Sequence, residues 1–359
     1  MAIGDPDGAS GKQSGVILDV PVIDIAGFGA ALPSRREAIA AEVDRAASSV
    51  GFMQIRGHGI DPLILAGLQS AIDGFFGLPM EEKLAARAPG VHLNRGYTPP
   101  QSERLSYSLG VDSAADLFEA FNVGTPASTF PELDLPLDIY TENIWPAHPP
   151  LFRAQIEAWF HAAGQLARTM TRIFEVALGL PEFYFAAYQD HSVDVLRLNH
   201  YALAAPDIRL LPGQMGMGAH TDYGTVTILW ADPVVPGLQI LDSSGTWHDV
   251  VPKPGALLIN LGDMLARWTN DRWISTMHRV LPSIDRNGRA LRRRSAAFFH
   301  DGNYDALVTC LPGCADSEHP ARYPPVTVAE HLAAKLAGSR GLQLNSAESP
   351  EALRLKAAL

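Results

Sequence analysis

Two cysteines, Cys310 and Cys314, are all the thiols in 359 residues. That is too few for a disulfide framework, and they read as reduced thiols of a cytoplasmic protein. Positive charge is also scarce: 28 Lys and Arg stand against 39 Asp and Glu, a net charge of −11. This balance argues against a nucleic-acid or anionic-membrane partner. No apolar run reaches the ~18 residues of a membrane span, and no leader pattern of charge followed by an apolar run opens the chain. The expectation left is a cytoplasmic enzyme with a small-molecule substrate. Its 47% apolar and 19% charged residues are ordinary for a globular protein.

Taken in order, residues 1–15 are Gly-, Asp- and Ser-rich and read as a disordered tail. A short β-branched strand at Val20-Pro21-Val22-Ile23-Asp24-Ile25 is followed by a helix over 35–49, with Ser34 placed to cap it and Glu37 in the capping-box position. Gly51-Phe52-Met53-Gln54-Ile55 reads as a strand, and Asp61-Pro62 opens a helix reaching about Phe76. Residues 79–86 suggest a further helical turn or two, and 88–112 a loop. Phe118-Glu119-Ala120-Phe121-Asn122-Val123 alternates like a strand, and the Pro-rich stretch 126–150 reads as a surface connection. A helix with a roughly 3.6-residue apolar period covers 151–178, and a short amphipathic one covers 181–188. From 192 on, strand-sized segments (193–201, 216–230, 237–241, 247–251, 256–261, 276–281 and 291–299) alternate with Gly/Pro turns. That pattern predicts an all-β sandwich or barrel, closed by a helix over 326–337.

Chemistry enters with His220-x-Asp222, at the head of the apolar segment 216–230. On a strand, residues two apart point to one side. Chance alone supplies about one His-x-acid pair in a chain of this composition. His278, in a later strand-like segment, offers a third ligand. Two imidazoles and a carboxylate suit Fe(II) with three positions left open; zinc prefers a tetrahedral site. In Leu291-Arg292-Arg293-Arg294-Ser295-Ala296-Ala297-Phe298-Phe299, alternation puts Arg293, Ser295, Ala297 and Phe299 on one face and turns Arg292 and Arg294 out to solvent. Arg and Ser there suit a carboxylate at the bottom of an apolar barrel. Asn199 and Tyr201 share a face just upstream of the His-x-Asp segment, while Arg104-Leu105-Ser106 repeats the Arg-x-Ser pattern by chance. His58, in a turn before a capped helix, reads as structural.

These residues carry a resemblance covering nearly the whole length. Pro21-Val22-Ile23-Asp24-Ile25, Gly51-Phe52, His58-Gly59-Ile60, Asn199-His200-Tyr201, Ala219-His220-Thr221-Asp222, Pro236-Gly237-Leu238-Gln239, Asn260-Leu261-Gly262-Asp263, Ser275-Thr276-Met277-His278-Arg279-Val280 and Arg293-Arg294-Ser295 occur in order. The chain resembles the isopenicillin N synthase-like Fe(II)/2-oxoglutarate-dependent dioxygenases. The resemblance implies a mainly β fold with a double-stranded β-helix (jelly-roll) core, an α-helical N-terminal region and flanking helices. It implies Fe(II) on His220, Asp222 and His278, and 2-oxoglutarate on Arg293 and Ser295 with Tyr201 and Asn199 nearby, with O2 as the second co-substrate. Two departures stand out: His200 occupies a position where many plant members have Tyr, and the connection from His278 to Arg293 is long. Its Asn287-Gly288 is a hairpin turn, so the extra length is expected to extend a hairpin at the barrel rim.

The expected division is a tail at 1–15, a helical and mixed region at 16–190, the β core at 191–325, and a C-terminal helix and tail at 326–359. The expected activity is hydroxylation, desaturation or cyclisation of a small organic molecule with release of succinate and CO2. Asp222, filling the carboxylate position, counts against a halogenating variant. The rivals are an Fe(II)/O2 oxidase that does not use 2-oxoglutarate and a non-catalytic β-barrel binding module. Arg95, Tyr97, Arg104 and Phe121 are candidate substrate contacts before the β core.

Overall fold

The computed structural model describes residues 16–17, 19–90, 93–201, 210–211, 213–282, 284–285 and 291–340. The expected N-terminal tail, the Asn287-Gly288 hairpin and the tail beyond 340 lie outside the described residues. The strands are β1 (Val16–Ile17), β2 (Val22–Asp24), β3 (Phe52–Arg56), β4 (Gly96–Thr98), β5 (Glu119–Gly124), β6 (Val195–His200), β7 (Met217–His220) and β8 (Val226–Ala231). They continue with β9 (Leu238–Leu241), β10 (Trp247–Asp249), β11 (Leu257–Leu261), β12 (His278–Val280), β13 (Arg294–His300), β14 (Leu307–Val308) and β15 (Val326–Thr327). The helices are α1 (Pro33–Ser49), α2 (Pro62–Phe76), α3 (Met80–Leu84), α4 (Phe152–Leu178), α5 (Asp263–Trp268) and α6 (Val328–Ser339).

An eight-stranded sheet, ordered β2-β3-β11-β8-β13-β6-β5-β4, faces a five-stranded sheet, ordered β1-β10-β9-β12-β7. Together they form the jelly roll. Residues 16–190 supply helices and also four strands of the larger sheet. α4 buries Ile156, Trp159, Ala163, Met170, Ile173 and Phe174 in one cluster with α1, α2 and the outer face of that sheet, where Ile55, Ile228, Ile259 and Phe298 point. A smaller cluster between the sheets holds Phe52, Phe118, Leu238, Ile240, Leu258 and Val280. Because both faces of the large sheet are covered, β5 and β6 are buried at every position; the alternation expected around Phe118 gives way to continuous burial.

The structure corrects several local expectations. α1 starts one residue before Ser34, with Pro33 in the first turn and Leu32 as a cap without a side-chain bond, since proline presets the helical φ. Asp61 does cap α2, accepting from the Leu63 N–H. The expected loop 88–112 contains β4 and a 3-10 turn at Leu105–Leu109. The expected helix over 181–188 is reduced to turns and a 3-10 segment at Ala186–Tyr188, with Phe183 at φ 65°. Thr327 and Glu330 form a reciprocal capping box on α6. The segment 216–230 is not one strand: β7 and β8 belong to different sheets, and Asp222 lies on the connection between them.

α5 holds that connection. Main-chain N–H groups of Gly262, Asp263 and Met264 donate to the carbonyls of Thr225, Asp222 and Gly224. A Cβ on Gly262 would lie 2.1 Å from the Gly224 carbonyl oxygen. Gly262→Ala is therefore expected to destabilise the fold by about 1–3 kcal/mol, seen as a lowered denaturant midpoint. An unchanged midpoint would show that the connection yields freely.

Candidate active site

His220 and His278 are directly paired residues on the adjacent antiparallel strands β7 and β12, with ring centroids 4.3 Å apart. Each Nδ1 bonds a main-chain carbonyl two residues back: Gly218 O at 2.8 Å for His220 and Thr276 O at 3.0 Å for His278. Both Nε2 atoms are thereby turned inward, 3.8 and 3.6 Å from Asp222 Oδ1. The other carboxylate oxygen, Oδ2, accepts from Thr227 Oγ1 and Asn260 Nδ2, both at 2.6 Å. Neighbouring strands β8 and β11 thus aim Asp222, not strand periodicity. One ligand atom from each of the three buried residues lies within 4.8 Å of the others, a group able to hold a metal ion. Burial, and then the neighbouring His278, push the His220 imidazole down to about 3, so it stands ready as a neutral ligand.

The glycines before this trio serve close approach more than bending. A Cβ on Gly218 would sit 2.6 Å from Ser106 Oγ, and one on Gly216 2.9 Å from the Leu281 carbonyl oxygen. Asp116, which accepts from the Leu105 and Gly218 N–H groups, is raised to about 7, chiefly by burial.

Arg293, Ser295, Ala297 and Phe299 line one cavity of about 600 Å³ together with the His-Asp-His trio. Arg293 is 2% exposed, its guanidinium lies 4.9 Å from the Tyr201 ring centroid, and its Nε and Nη1 have no hydrogen-bond partner. A buried guanidinium with two unpaired donors is built to receive an anion. Ser295 Oγ accepts from Asn199 Nδ2 at 3.3 Å, which leaves its O–H free to donate. Arg292 and Arg294 do turn away from the cavity, but both pair with Asp73 of α2, and Arg294 also pairs with Asp232. They tie that helix to β13.

Of the four candidate substrate contacts, only Arg95 lines the cavity. Tyr97 bonds Glu119, and Phe121 packs against Phe75 and Phe152 behind the sheet. Arg104 stacks on Tyr107 at the surface. His200 bonds Glu119 and stacks on Phe76, outside the cavity. The Nδ1 of His58 accepts from the Ile60 N–H, a turn role. The sequence does not single out Arg197, Glu103, Asp301 or Arg340, all of which line the cavity. Arg197 could have been found by period 2, being two residues before Asn199 on β6. Arg340 and Glu103 had no local signal. Asp301 continues the inward face of β13, and a Cβ on Gly224 would overlap its carboxylate.

A jelly roll enclosing two imidazoles, one carboxylate and a buried unpaired arginine defines a non-haem iron, keto-acid class of enzyme. Comparison with known proteins agrees. Residues 20–148 match the family model of the non-haem dioxygenase N-terminal region, described from morphine synthesis, and residues 192–302 match that of the 2OG-Fe(II) oxygenase superfamily. The 2-oxoglutarate-Fe(II) type oxidoreductase hxnY of Emericella nidulans is 34% identical over 317 residues, covering 86% of each chain. Validamycin A dioxygenase of Streptomyces hygroscopicus subsp. limoneus is 31% identical, over 88% of this chain and 85% of its own. A full-length Neurospora crassa protein, crystallised in complex with alpha-KG (2-oxoglutarate) and thymine, superposes with a TM-score of 0.77 at 27% identity, over 92% of this chain and 99% of that one. The chain belongs to the 2OG-Fe(II) oxygenase superfamily, in its isopenicillin N synthase-like branch. It is a 2-oxoglutarate-dependent dioxygenase, of a family using Fe(II), 2-oxoglutarate and O2. Neither an oxidase independent of 2-oxoglutarate nor a non-catalytic barrel is favoured. Among the described residues no helix is long and apolar enough to cross a membrane.

Proposed function

We propose that this enzyme hydroxylates, or alternatively desaturates or cyclises, a small organic molecule held in the cavity beside His220, Asp222 and His278. In this reading these three residues hold Fe(II). Arg293 and Ser295, with Tyr201 and Asn199 behind them, hold the far carboxylate of 2-oxoglutarate. The donor chemistry fits: two neutral nitrogens, one carboxylate oxygen whose partner oxygen is already bonded, and a buried cation facing the same space. When bound, Fe(II) with 2-oxoglutarate supplies the oxidising chemistry, spending O2 and the keto acid and releasing succinate and CO2. The chain's own part is positional. The carbonyls of Gly218 and Thr276 fix the imidazoles, Thr227 and Asn260 fix the carboxylate, and Arg293 fixes the keto acid's orientation. The apolar walls formed by Leu105, Leu229 and Leu336 hold a C–H bond and keep water away.

Residues 191–325 carry this chemistry in our reading, 16–190 brace the larger sheet, and α6 with Arg340 lines the cavity. Cys310 and Cys314, both free, support a cytoplasmic location. The observation that carries the proposal is the buried trio opposite the unpaired Arg293. Succinate release by the purified protein, dependent on both Fe(II) and 2-oxoglutarate, tests it. O2 consumption with no requirement for 2-oxoglutarate would sink it.

A further inference from the structure

Beyond the trio, the cavity wall carries more positive charge than its own acids balance. Glu103, Arg197 and Arg95 are 6%, 8% and 3% exposed, and the Arg340 side chain is 12% exposed. Arg197 spends its Nε on Asn199 Oδ1 at 3.0 Å, and its Nη1 and Nη2 on Glu103 at 3.3 and 2.8 Å. Arg95 spends its nitrogens on the main-chain carbonyls of Asn94, Thr125, Ile139 and Thr141, which neutralise no charge. Arg340, one residue past α6, reaches Glu103 only through Nε at 3.6 Å. Its two terminal nitrogens have no hydrogen-bond partner among the described residues.

Two guanidinia, Arg197 and Arg340, therefore share the Glu103 carboxylate, while Arg95 feels Arg340 on one side and the Glu142 carboxylate on the other. Burial lowers Arg95 to about 10, with Arg340 as the next cause. Burial likewise lowers Arg340, offset in part by Glu103. Asp301, another acid on the wall, lies against Gly224, and burial with Asp194 and Asp222 pushes its carboxyl up; Asp138 is exposed. The other half of the cavity balances itself, because Fe(II) and Arg293 cancel Asp222 and the 2-oxoglutarate dianion. Asn122, 1% exposed and directly paired with Arg197 across β5 and β6, lines the same space; its unpartnered Oδ1 is an acceptor for a substrate N–H or O–H and does not bind a carboxylate. Buried charge left uncompensated is costly, and the charge here lines the space left for substrate. Leu105, Ile139, Leu332, Ala333 and Leu336 give the same space apolar surface.

We propose that the substrate is an organic acid with an apolar body, whose carboxylate is received by the terminal nitrogens of Arg340, with Arg197 beside it adding positive charge. A polar chain links the two acid sites: Ser295 to Asn199, Asn199 to Arg197, Arg197 to Glu103, and Glu103 to Arg340. Arg197 is thus oriented from the co-substrate side and Arg340 from the end of the C-terminal helix. Seating the acid also fixes α6 over the cavity, through Arg340.

The inference rests on the proposed use of this cavity for oxidation, and the test separates the two. The full chain is loaded anaerobically with Fe(II) and saturating 2-oxoglutarate, so that Arg293 is occupied. Hexanoate, phenylacetate and 3-phenylpropionate are titrated calorimetrically beside their primary amides. At least one acid is expected to bind tenfold or more tighter than its amide. Arg340→Met should bring that ratio close to one, and Arg340→Lys should keep part of it. Equal binding of acids and amides, no binding by any acid, or a preference that survives Arg340→Met would each overturn the proposal. Succinate released by the wild type without any probe tests the oxygenase reading by itself.

Discussion

Asp222→Ala is expected to lower 2-oxoglutarate turnover by roughly three orders of magnitude or more and to strip the protein of iron on desalting. The estimate follows from a graded comparison. Removing a partner that merely supports a ligand costs about 10–100-fold in metal affinity, so Thr227→Val, which frees one of the two bonds on Asp222 Oδ2, should fall in that range. Removing Asp222 itself takes away the one carboxylate of the trio and leaves two neutral imidazoles facing a dication. It also leaves Thr227 Oγ1 and Asn260 Nδ2 without their acceptor, a further cost of about 1–3 kcal/mol each in stability. Iron content per chain, succinate yield and thermal midpoint, measured on both variants, separate the losses. Wild-type iron content and turnover in Asp222→Ala would remove Asp222 from the metal site.

The two histidines were legible in the sequence because their strands carry local signals: an apolar segment, turn residues on either side, and a recognisable order of motifs. Their direct pairing across β7 and β12 follows from the jelly roll that those motifs imply. The way Asp222 is aimed was not legible. The rule that residues two apart share a strand face names the right residue, but β7 ends at His220. The carboxylate is set instead by Thr227, Asn260 and the main-chain grip of α5. These contacts depend on the register between β8 and β11, which no single segment encodes. Arg293 and Ser295 were readable because β13 keeps strict alternation, its outward arginines finding Asp73. Glu103 and Arg340 were invisible for the opposite reason. One lies in irregular chain and the other just past a helix, and only tertiary folding brings them together. Tyr97 and Phe121 looked like cavity residues by position, yet the helices on the outer face of the large sheet claim them for the core.

Two kinds of buried charge therefore coexist around one cavity. Asp263, which joins the metal strands to the C-terminal helix, is fully compensated: it accepts from Thr221, Ser275 and Lys335. Arg293 is not, and Arg340 has only a share of Glu103, which Arg197 also takes. In the proposed reading the difference follows function: a compensated group builds the frame, and an uncompensated one receives a ligand.

That contrast gives Arg293→Met two readouts of opposite sign. Arg293 is nearly fully buried with two unpaired donors, so it weakens the ligand-free fold. Met fills similar length without a charge to desolvate, and replacing buried charge with apolar atoms is often neutral or stabilising. The thermal midpoint of the ligand-free variant is therefore expected to hold or rise. Affinity for 2-oxoglutarate should move the other way. Losing a buried, charge-assisted pair costs about 3–4 kcal/mol, which is roughly 100- to 1000-fold in Kd. Arg293→Lys should fall between, because one ammonium cannot reproduce the planar fork. Ser295→Ala should cost less, since it removes a single hydroxyl donor. Calorimetric titration of 2-oxoglutarate in the presence of Fe(II) without O2, beside thermal melts of the same preparations, reads both. A lowered midpoint with unchanged 2-oxoglutarate affinity would make Arg293 a structural residue and move the keto-acid site elsewhere in the cavity.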